Sequence, residues 1–157
     1  MTVARSPAAA ELSPDELARA CADAMWANDH ASKALGMEIV EIGPGFATLA
    51  MTITTEMVNG HGIAHGGFIF TLADSAFAYA CNSRNENTVA AQGQISFIRP
   101  SKLGAKLVAS AREVTRAGRS GIFDVRVSSA GIVIAEFRGH SRSIGGTLVP
   151  LQQPDQR

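Results

Sequence analysis

Residues 65–81, HGGFIFTLADSAFAYAC, are apolar around most of a helical circumference, and one carboxylate, Asp74, sits in the middle. The run predicts a helix that stops near residues 81–82, because the following NSRNEN is polar and turn-forming. A helix apolar on so many sides has to be covered from more than one direction. The flanking segments supply the cover. SPDE at 13–16 reads as a helix start, with Ser13 as N-cap, Pro14 in the first turn and Glu16 closing a capping box. That helix is expected to run through Trp26 to about Leu35 and stop at Gly36. Residues 37–42 alternate apolar and polar, GPG turns the chain, and 46–54 continue, which is a hairpin signal. Beyond the central helix come four β runs: 88–100, 105–117, GIFDVRVSSA and GIVIAEFRGHSRSIGG. Their spacing suggests an antiparallel meander. The order predicts an α+β fold, a strongly curved antiparallel sheet wrapped around one buried helix. Residues 13–147 form one domain in this reading, between flexible tails at 1–12 and 148–157.

Composition narrows the function. The 157 residues carry 14 Lys+Arg and 14 Asp+Glu, a formal net charge of zero, which argues against broad nucleic-acid binding. Cys21 and Cys81 fit no CxxC or CxxH spacing, and no secretory signal precedes them. Reduced thiols in a cytoplasmic protein are therefore expected. The longest apolar run is shorter than the roughly 20 residues of a membrane span, and Asp74 interrupts it, so the reading is a soluble protein without a membrane partner.

The candidate chemistry centres on Asp74. A lone acid in an apolar helix is either a structural group satisfied by a backbone amide or an arginine, or a general base or nucleophile in a low-dielectric pocket. Gly66 and Gly67 stand at the helix N-terminus, where N–H groups are unpaired and the helix dipole is positive. Such an amide can stabilise the oxyanion formed when an acyl carbonyl is attacked. Gly66 and Asp74 are eight residues apart, about 12 Å along a helix, so one helix cannot bring both to one carbon. Two antiparallel copies can, with Asp74 of one subunit facing Gly66 of the other across a two-fold axis.

Asn59 precedes the glycines and serves either as an Asn-Gly turn or to orient water or the acyl group. His61 and His65 have i, i+4 spacing but lie in a Gly-rich loop without HExxH, so no metal site is expected. His65 stands where GxGxxG needs its third glycine, and no GxSxG elbow surrounds Ser75. Arg99 and Lys102 lie just past one strand, and Arg138, His140 and Arg142 on another. Each is either a solvated surface group or a contact for the phosphates of an extended ligand.

NGHGIAHGGFIFTLADSAFAYACNS, FIRP and RGHSRSIGG resemble the phenylacetate-degradation (PaaI-type) acyl-CoA thioesterases of the hotdog-fold superfamily, over about residues 26–147. The resemblance implies a five- or six-stranded sheet around a long central helix, in dimers that pair into homotetramers. It implies hydrolysis of an aryl- or phenylacetyl-CoA-type thioester to free acid and CoA. Asp74 is then the catalytic carboxylate, base or nucleophile. Gly66 supplies the amide that polarises the carbonyl, and Asn59 assists. His65, Gly67, Arg99, Lys102 and Arg142 contact substrate in this reading. CoA belongs to the substrate, and no separate cofactor or metal is implied. The extended N-terminal tail and the GIA between His61 and His65 depart from the pattern and bear on acyl preference. Two other expectations remain: a non-catalytic acyl-CoA-binding hotdog protein, and a hotdog hydratase or dehydratase. The dehydratases pair a His with an acid, and this loop and helix look unlike theirs.

Overall fold

The computed structural model describes residues 12–150; of the expected tails at 1–12 and 148–157, residues 1–11 and 151–157 lie outside the described residues. Helix α1 (Pro14–Asn28) starts as the sequence signals. The Glu16 N–H donates to Ser13 Oγ, and the Ser13 N–H donates to the Glu16 carboxylate at 2.8 Å. It does not run on to Leu35. Asp29 breaks it and caps a separate helix, α2 (His30–Ala34), accepting from the Ser32 N–H at 3.0 Å. The other oxygen of Asp29 accepts from the Tyr79 hydroxyl at 2.9 Å. One short acid thus ends one helix, starts the next and ties both to the central helix, a competition with the backbone for which Asp is suited.

The hairpin is β1 (Glu38–Gly43) and β2 (Phe46–Thr52), followed by a 3₁₀ turn, Thr55–Met57. The central helix α3 spans Gly66–Cys81. At its end the Asn82 side chain donates to Ala78 O and Thr88 O and accepts from the Thr88 N–H. It thereby joins the helix stop to β3 (Thr88–Phe97). Strands β4 (Lys106–Ala117), β5 (Ser120–Ser129) and β6 (Ile132–Ser143) complete a six-stranded antiparallel sheet in the order β1-β2-β4-β5-β6-β3.

The expected meander holds for β4-β5-β6 only. Strand β3 does not pair with β4; it lies beside β6 at the far edge. The reason is the helix. β1 and β2 precede α3 and β3 follows it, so the chain crosses over α3 and covers its other flank. Irregular registers at Glu113/Thr115 in β4 and Ala90/Gln92 in β3 bend the strands as bulges do.

The concave face carries the core. Leu49, Met51, Leu107, Ala109, Phe123, Val125, Val127 and Phe137 pack on Leu72, Ala73, Ala76, Phe77 and Ala80 of α3. Ring contacts of 5.6 Å between Phe77 and Phe123 and 5.3 Å between Phe70 and Phe137 lock the helix to the last two strands. The convex face is polar and laced with ion pairs, Arg138 with Asp124 and Arg126 with Glu136.

Leu148 and Val149, the first residues of the expected C-terminal tail, are bound. Both N–H groups donate to Asn85 Oδ1, and Asn85 Nδ2 donates to Val149 O.

Burial alone would raise the pKa of Asp29. The Ser32 amide and hydroxyl, the Tyr79 hydroxyl and Lys33 together outweigh it and hold the carboxyl below its ordinary range. A lowered folded-state pKa contributes stability above the unfolded pKa and loses it as pH falls through the folded value. Tyr79→Phe should therefore cost about 1 kcal/mol in urea unfolding at neutral pH. Asp29→Ala should cost more, because it removes the α2 cap as well, and its penalty should shrink in acid.

Candidate functional site

The loop before α3 is folded by its own backbone. The Asn59 N–H donates to Ile63 O at 2.8 Å, Gly62 to Asn59 O at 2.9 Å, and His65 to Met57 O at 2.7 Å. The segment after β3 holds it from outside: the Ala64 N–H donates to Ser101 O at 2.7 Å, and Ile63 bridges Lys102. Asn59 Oδ1 accepts from the His61 N–H at 2.9 Å and from Ile63 at 3.4 Å. The side-chain oxygen is thus committed to the turn. Asn59 nevertheless borders the cavity described below.

This loop delivers His65 as the N-cap of α3. Its Nδ1 accepts from the Gly67 N–H at 3.0 Å, and its carbonyl accepts from the Phe68 N–H at 3.0 Å. Accepting at Nδ1 requires the tautomer that carries its proton on Nε2. Among the described residues nothing accepts from the Gly66 N–H. The cap therefore satisfies the second amide of the helix and leaves the first free. Both glycines make room for a ring. A Cβ on Gly67 would stand 3.1 Å from His65 Nδ1, and one on Gly66 would stand 2.8 Å from the ring of Phe97.

Gly66 opens into a cavity of about 510 Å³ walled by Ile63, Ile69, Phe97, Ile98 and Arg99, with Asn59 at its margin. The apolar walls were not singled out from the sequence. Their one signal was FIRP at the end of a strand, which placed apolar residues beside a cation. A free amide at the positive end of a helix can bind a developing oxyanion, and Gly66 borders this largely apolar cavity.

Asp74 lies on a different part of the same helix, half-buried. Among the described residues no hydrogen bond or ion pair reaches its carboxylate, so neither structural partner considered from the sequence is present there. Burial pushes its pKa up. The Cys81 thiol, two turns further along the helix, is pushed up to about 12, first by burial and in smaller part by the charge of Asp74. Gly67, Thr71, Asp74, Ala78 and Cys81 form a stripe of α3 that the sheet does not fully cover.

The cations divide. Arg99 donates to Val133 O at 2.9 Å and borders the Gly66 cavity, and Lys102 is exposed beside the loop. Arg138 is held by both oxygens of Asp124, at 2.6 and 2.7 Å. Arg142 is paired across the ladder with Val89, whereas Phe97 is paired with Ala135. Eight residues of strand, about 26 Å, separate those two ends. Arg142 and His140 line a separate pocket of about 340 Å³ with Gln92 and Thr115. One chain thus brings together Asn59, His65, Gly66, Gly67, Arg99 and Lys102, and keeps Asp74 and Arg142 apart from them. Among the described residues no group of three or more His, Cys, Asp or Glu side chains is placed to hold a metal ion, and His65 is occupied as the helix cap. Among the described residues no helix is long and apolar enough to cross a membrane.

A six-stranded antiparallel sheet curled around one long helix is the hotdog architecture. A family model described as Thioesterase superfamily matches residues 61–135, which include the end of the loop from His61 on, α3, and Ile63, Ile69, Phe97, Ile98 and Arg99 of the cavity, but not Asn59. Acyl-coenzyme A thioesterase PaaI of Escherichia coli is 44% identical over 128 residues, covering 81% of this chain and 91% of that protein. The structure of the E. coli PaaI protein, from the phenylacetic acid degradation operon, superposes with a TM-score of 0.84 over 86% of this chain and 99% of that one, at 43% identity. A mutant form of phenylacetic acid degradation protein PaaI from Thermus thermophilus is 37% identical, with a TM-score of 0.70 over 72% and 97% of the two chains. A Streptococcus mutans protein solved bound to acetyl CoA is 25% identical, with a TM-score of 0.68 over 71% and 90%. The chain belongs to the PaaI-type acyl-CoA thioesterases, hydrolases of the hotdog superfamily.

The cap has its own test. His65→Ala should lose about 1 kcal/mol of stability in urea, a typical cost for a lost N-cap. His65→Asn, which keeps an acceptor two residues before the Gly67 N–H, should recover most of it. Equal losses in the two variants would show that the Nδ1 bond does not hold the first turn.

Proposed function

We propose that this protein hydrolyses an aryl- or phenylacetyl-CoA-type thioester to the free acid and CoA, in a site shared by two copies of the chain. The observation that carries the reading is the pair of unused groups on α3. The Gly66 N–H and the Asp74 carboxylate have no partners among the described residues, and they stand about 12 Å apart on one rigid helix. Strand β3 supports a dimer. It is an edge of the sheet that packs on α3, most of its residues are exposed, and it presents Val89 at 45% and Phe97 at 54% exposure. An open edge of this length calls for a partner strand. Antiparallel pairing of β3 with its copy sets the two α3 helices antiparallel and carries the Arg142 end of one ladder toward the Gly66 end of the other. Two such dimers would make the homotetramer.

In this site the thioester oxygen accepts from the Gly66 N–H, and Asn59 steadies the group from the loop. Asp74 of the second subunit either takes a proton from the attacking water or attacks the carbonyl carbon itself. The C–S bond breaks, the sulfur leaves as thiolate and takes up a proton, and the acid is released once water has been consumed. His65 and Gly67 shape the first helical turn, and Arg99, Lys102 and the partner-side Arg142 meet the phosphates of CoA. The acetyl CoA bound to the Streptococcus mutans relative and the thioesterase relatives support an acyl-CoA ligand. The free thiols of Cys21 and Cys81 are consistent with a cytoplasmic location.

Thiol release from a panel of acyl-CoAs tests the chemistry. Asp74→Ala and Asp74→Asn should each lower kcat by about 10² or more, and wild-type turnover in both would make Asp74 structural. Activity should fall in acid through a pKa above the ordinary 3.8, because burial favours the neutral form. Stability has the opposite sign. A raised folded-state pKa contributes stability below the unfolded pKa and loses it as pH rises through the folded value. Asp74→Asn should therefore be more stable than wild type at neutral pH, and the gain should vanish at about pH 3.

The shared site is tested by mixing. Gly66→Pro removes the N–H while suiting the first helical position, and His65 already has the extended backbone that precedes proline, φ −65° and ψ 131°. Gly66→Ala keeps the N–H and adds the same Cβ, so the activity lost from Gly66→Ala to Gly66→Pro is that of the N–H. Unfolded and refolded together, Asp74→Asn and Gly66→Pro chains should regain about a quarter of wild-type activity, since half the dimers are hybrids with one intact site each. A mixture that stays inactive would place both groups in one chain.

A further inference from the structure

We propose that the pocket around His140 and Arg142, on the convex face of the sheet, is a binding site for a phosphomonoester. The site follows from its own side chains. Only its assignment to the CoA of the substrate rests on the thioesterase reading.

Gln92, His140, Ile122 and Thr115 are successive ladder partners across β3, β6, β5 and β4. Ile122 and His140 alternate with the buried Phe123, Gly139 and Ser141, which places the row on the outer face of the sheet. Arg142 and Ser120 are partners one step further along that face. Together these residues line a cavity of about 340 Å³. Among the described residues no carboxylate lines it. The contrast with the rest of the face is one of charge: Arg138 holds Asp124 there, and Arg126 holds Glu136. Among the described residues the side chains of Gln92, Thr115, Ser120, His140 and Arg142 make no hydrogen bond or ion pair. Donors from four strands thus line one cavity, with no acidic group of the protein to meet them.

A phosphomonoester suits this set. It carries three strong acceptor oxygens and a charge of about −1.5 to −2 at neutral pH. The Arg142 guanidinium can grip two of the oxygens as a fork. Whichever tautomer His140 adopts, one ring N–H is available to the third. A carboxylate has only two oxygens, in one plane, and would leave part of the donor set idle. Ile122 offers apolar surface to the carbon group that bears the phosphate. Two sources carry this group, the 3′-phosphate of CoA and a separate phosphorylated small molecule. Pairing of β3 with its copy carries the Arg142 end of one protomer toward the Gly66 end of the other, which favours CoA.

Titration calorimetry on the full chain tests the site with three probes: CoA, 3′-dephospho-CoA and adenosine 3′,5′-bisphosphate. Wild type should bind CoA about 10-fold or more tighter than 3′-dephospho-CoA. His140→Phe, which removes a donor and no obligatory charge, and Arg142→Gln should each bring that ratio to within about three-fold. Lys102→Gln should leave the ratio as it is, since a cation outside the pocket acts on both probes alike. A wild-type ratio near one, with the bisphosphate binding beside saturating 3′-dephospho-CoA and failing to bind either pocket variant, would support the site and give it a separate ligand. A ratio near one without bisphosphate binding overturns the inference, as does any preference for the phosphate that survives in both His140→Phe and Arg142→Gln. Thiol release by wild type reads the thioesterase separately. Its absence from every acyl-CoA, with the phosphate preference intact, would overturn that reading and leave the pocket standing.

Discussion

The burial of α3 in the hollow of the sheet is the constraint from which the rest of the molecule follows. The helix carries Leu72, Ala73, Ala76, Phe77 and Ala80 on the faces that meet the strands, all of them fully buried. Each buried side chain of the size of Leu or Phe contributes about 1.5–3 kcal/mol, so no alternative packing that exposed this face would compete. Because the apolar arc is wide, a flat sheet could not cover it. Bulges and the crossing of β3 to the far edge give the sheet its curl. The ion-paired convex face keeps that curl in water, since Asp124, Arg126, Glu136 and Arg138 satisfy one another across adjacent strands.

The same packing defines what α3 leaves open. Its N-terminus emerges from the sheet into a loop bound to the residues after β3, and the His65 cap consumes the Gly67 amide and not that of Gly66. One stripe of α3 is only partly covered, and Asp74 lies on it without a partner among the described residues. A helix inside one chain is too rigid to fold these two groups together. Burial pushes the Asp74 carboxyl's pKa up, so its charged form is costly where it is, and no partner among the described residues offsets that cost.

Glycine at 66 and 67 illustrates how sequence motifs arise from contact. Neither position has an unusual backbone; a Cβ on Gly66 would meet the ring of Phe97 at 2.8 Å, and one on Gly67 would press at 3.1 Å on His65 Nδ1. The HGG motif and the Phe of FIRP are therefore parts of one object, although thirty residues of chain separate them. The motif marks the helix start and the free amide. It does not reveal that the amide's neighbour is a ring from the sheet edge, and so the cavity wall went unread.

Local signals determined much of this protein. The capping box at Ser13, the stop at Asn82, the two-residue alternation of the strands and the apolar arc of α3 are set by neighbours in the chain, and each stands where the sequence puts it. Asp74 and Gly66 were legible because an acid and a glycine pair are conspicuous in such a helix. Tertiary structure decided what depends on distant partners. Asp29 splits the first helix because Tyr79, fifty residues away, donates to it. Strand β3 joins β6 and not β4 because α3 must be covered on both flanks. Asn59 spends its oxygen on the loop, Arg138 is held by Asp124, and Arg142 lies a strand's length from Arg99. None of these follows from spacing along the chain, since each is settled by a competition among contacts that only the folded backbone brings within reach.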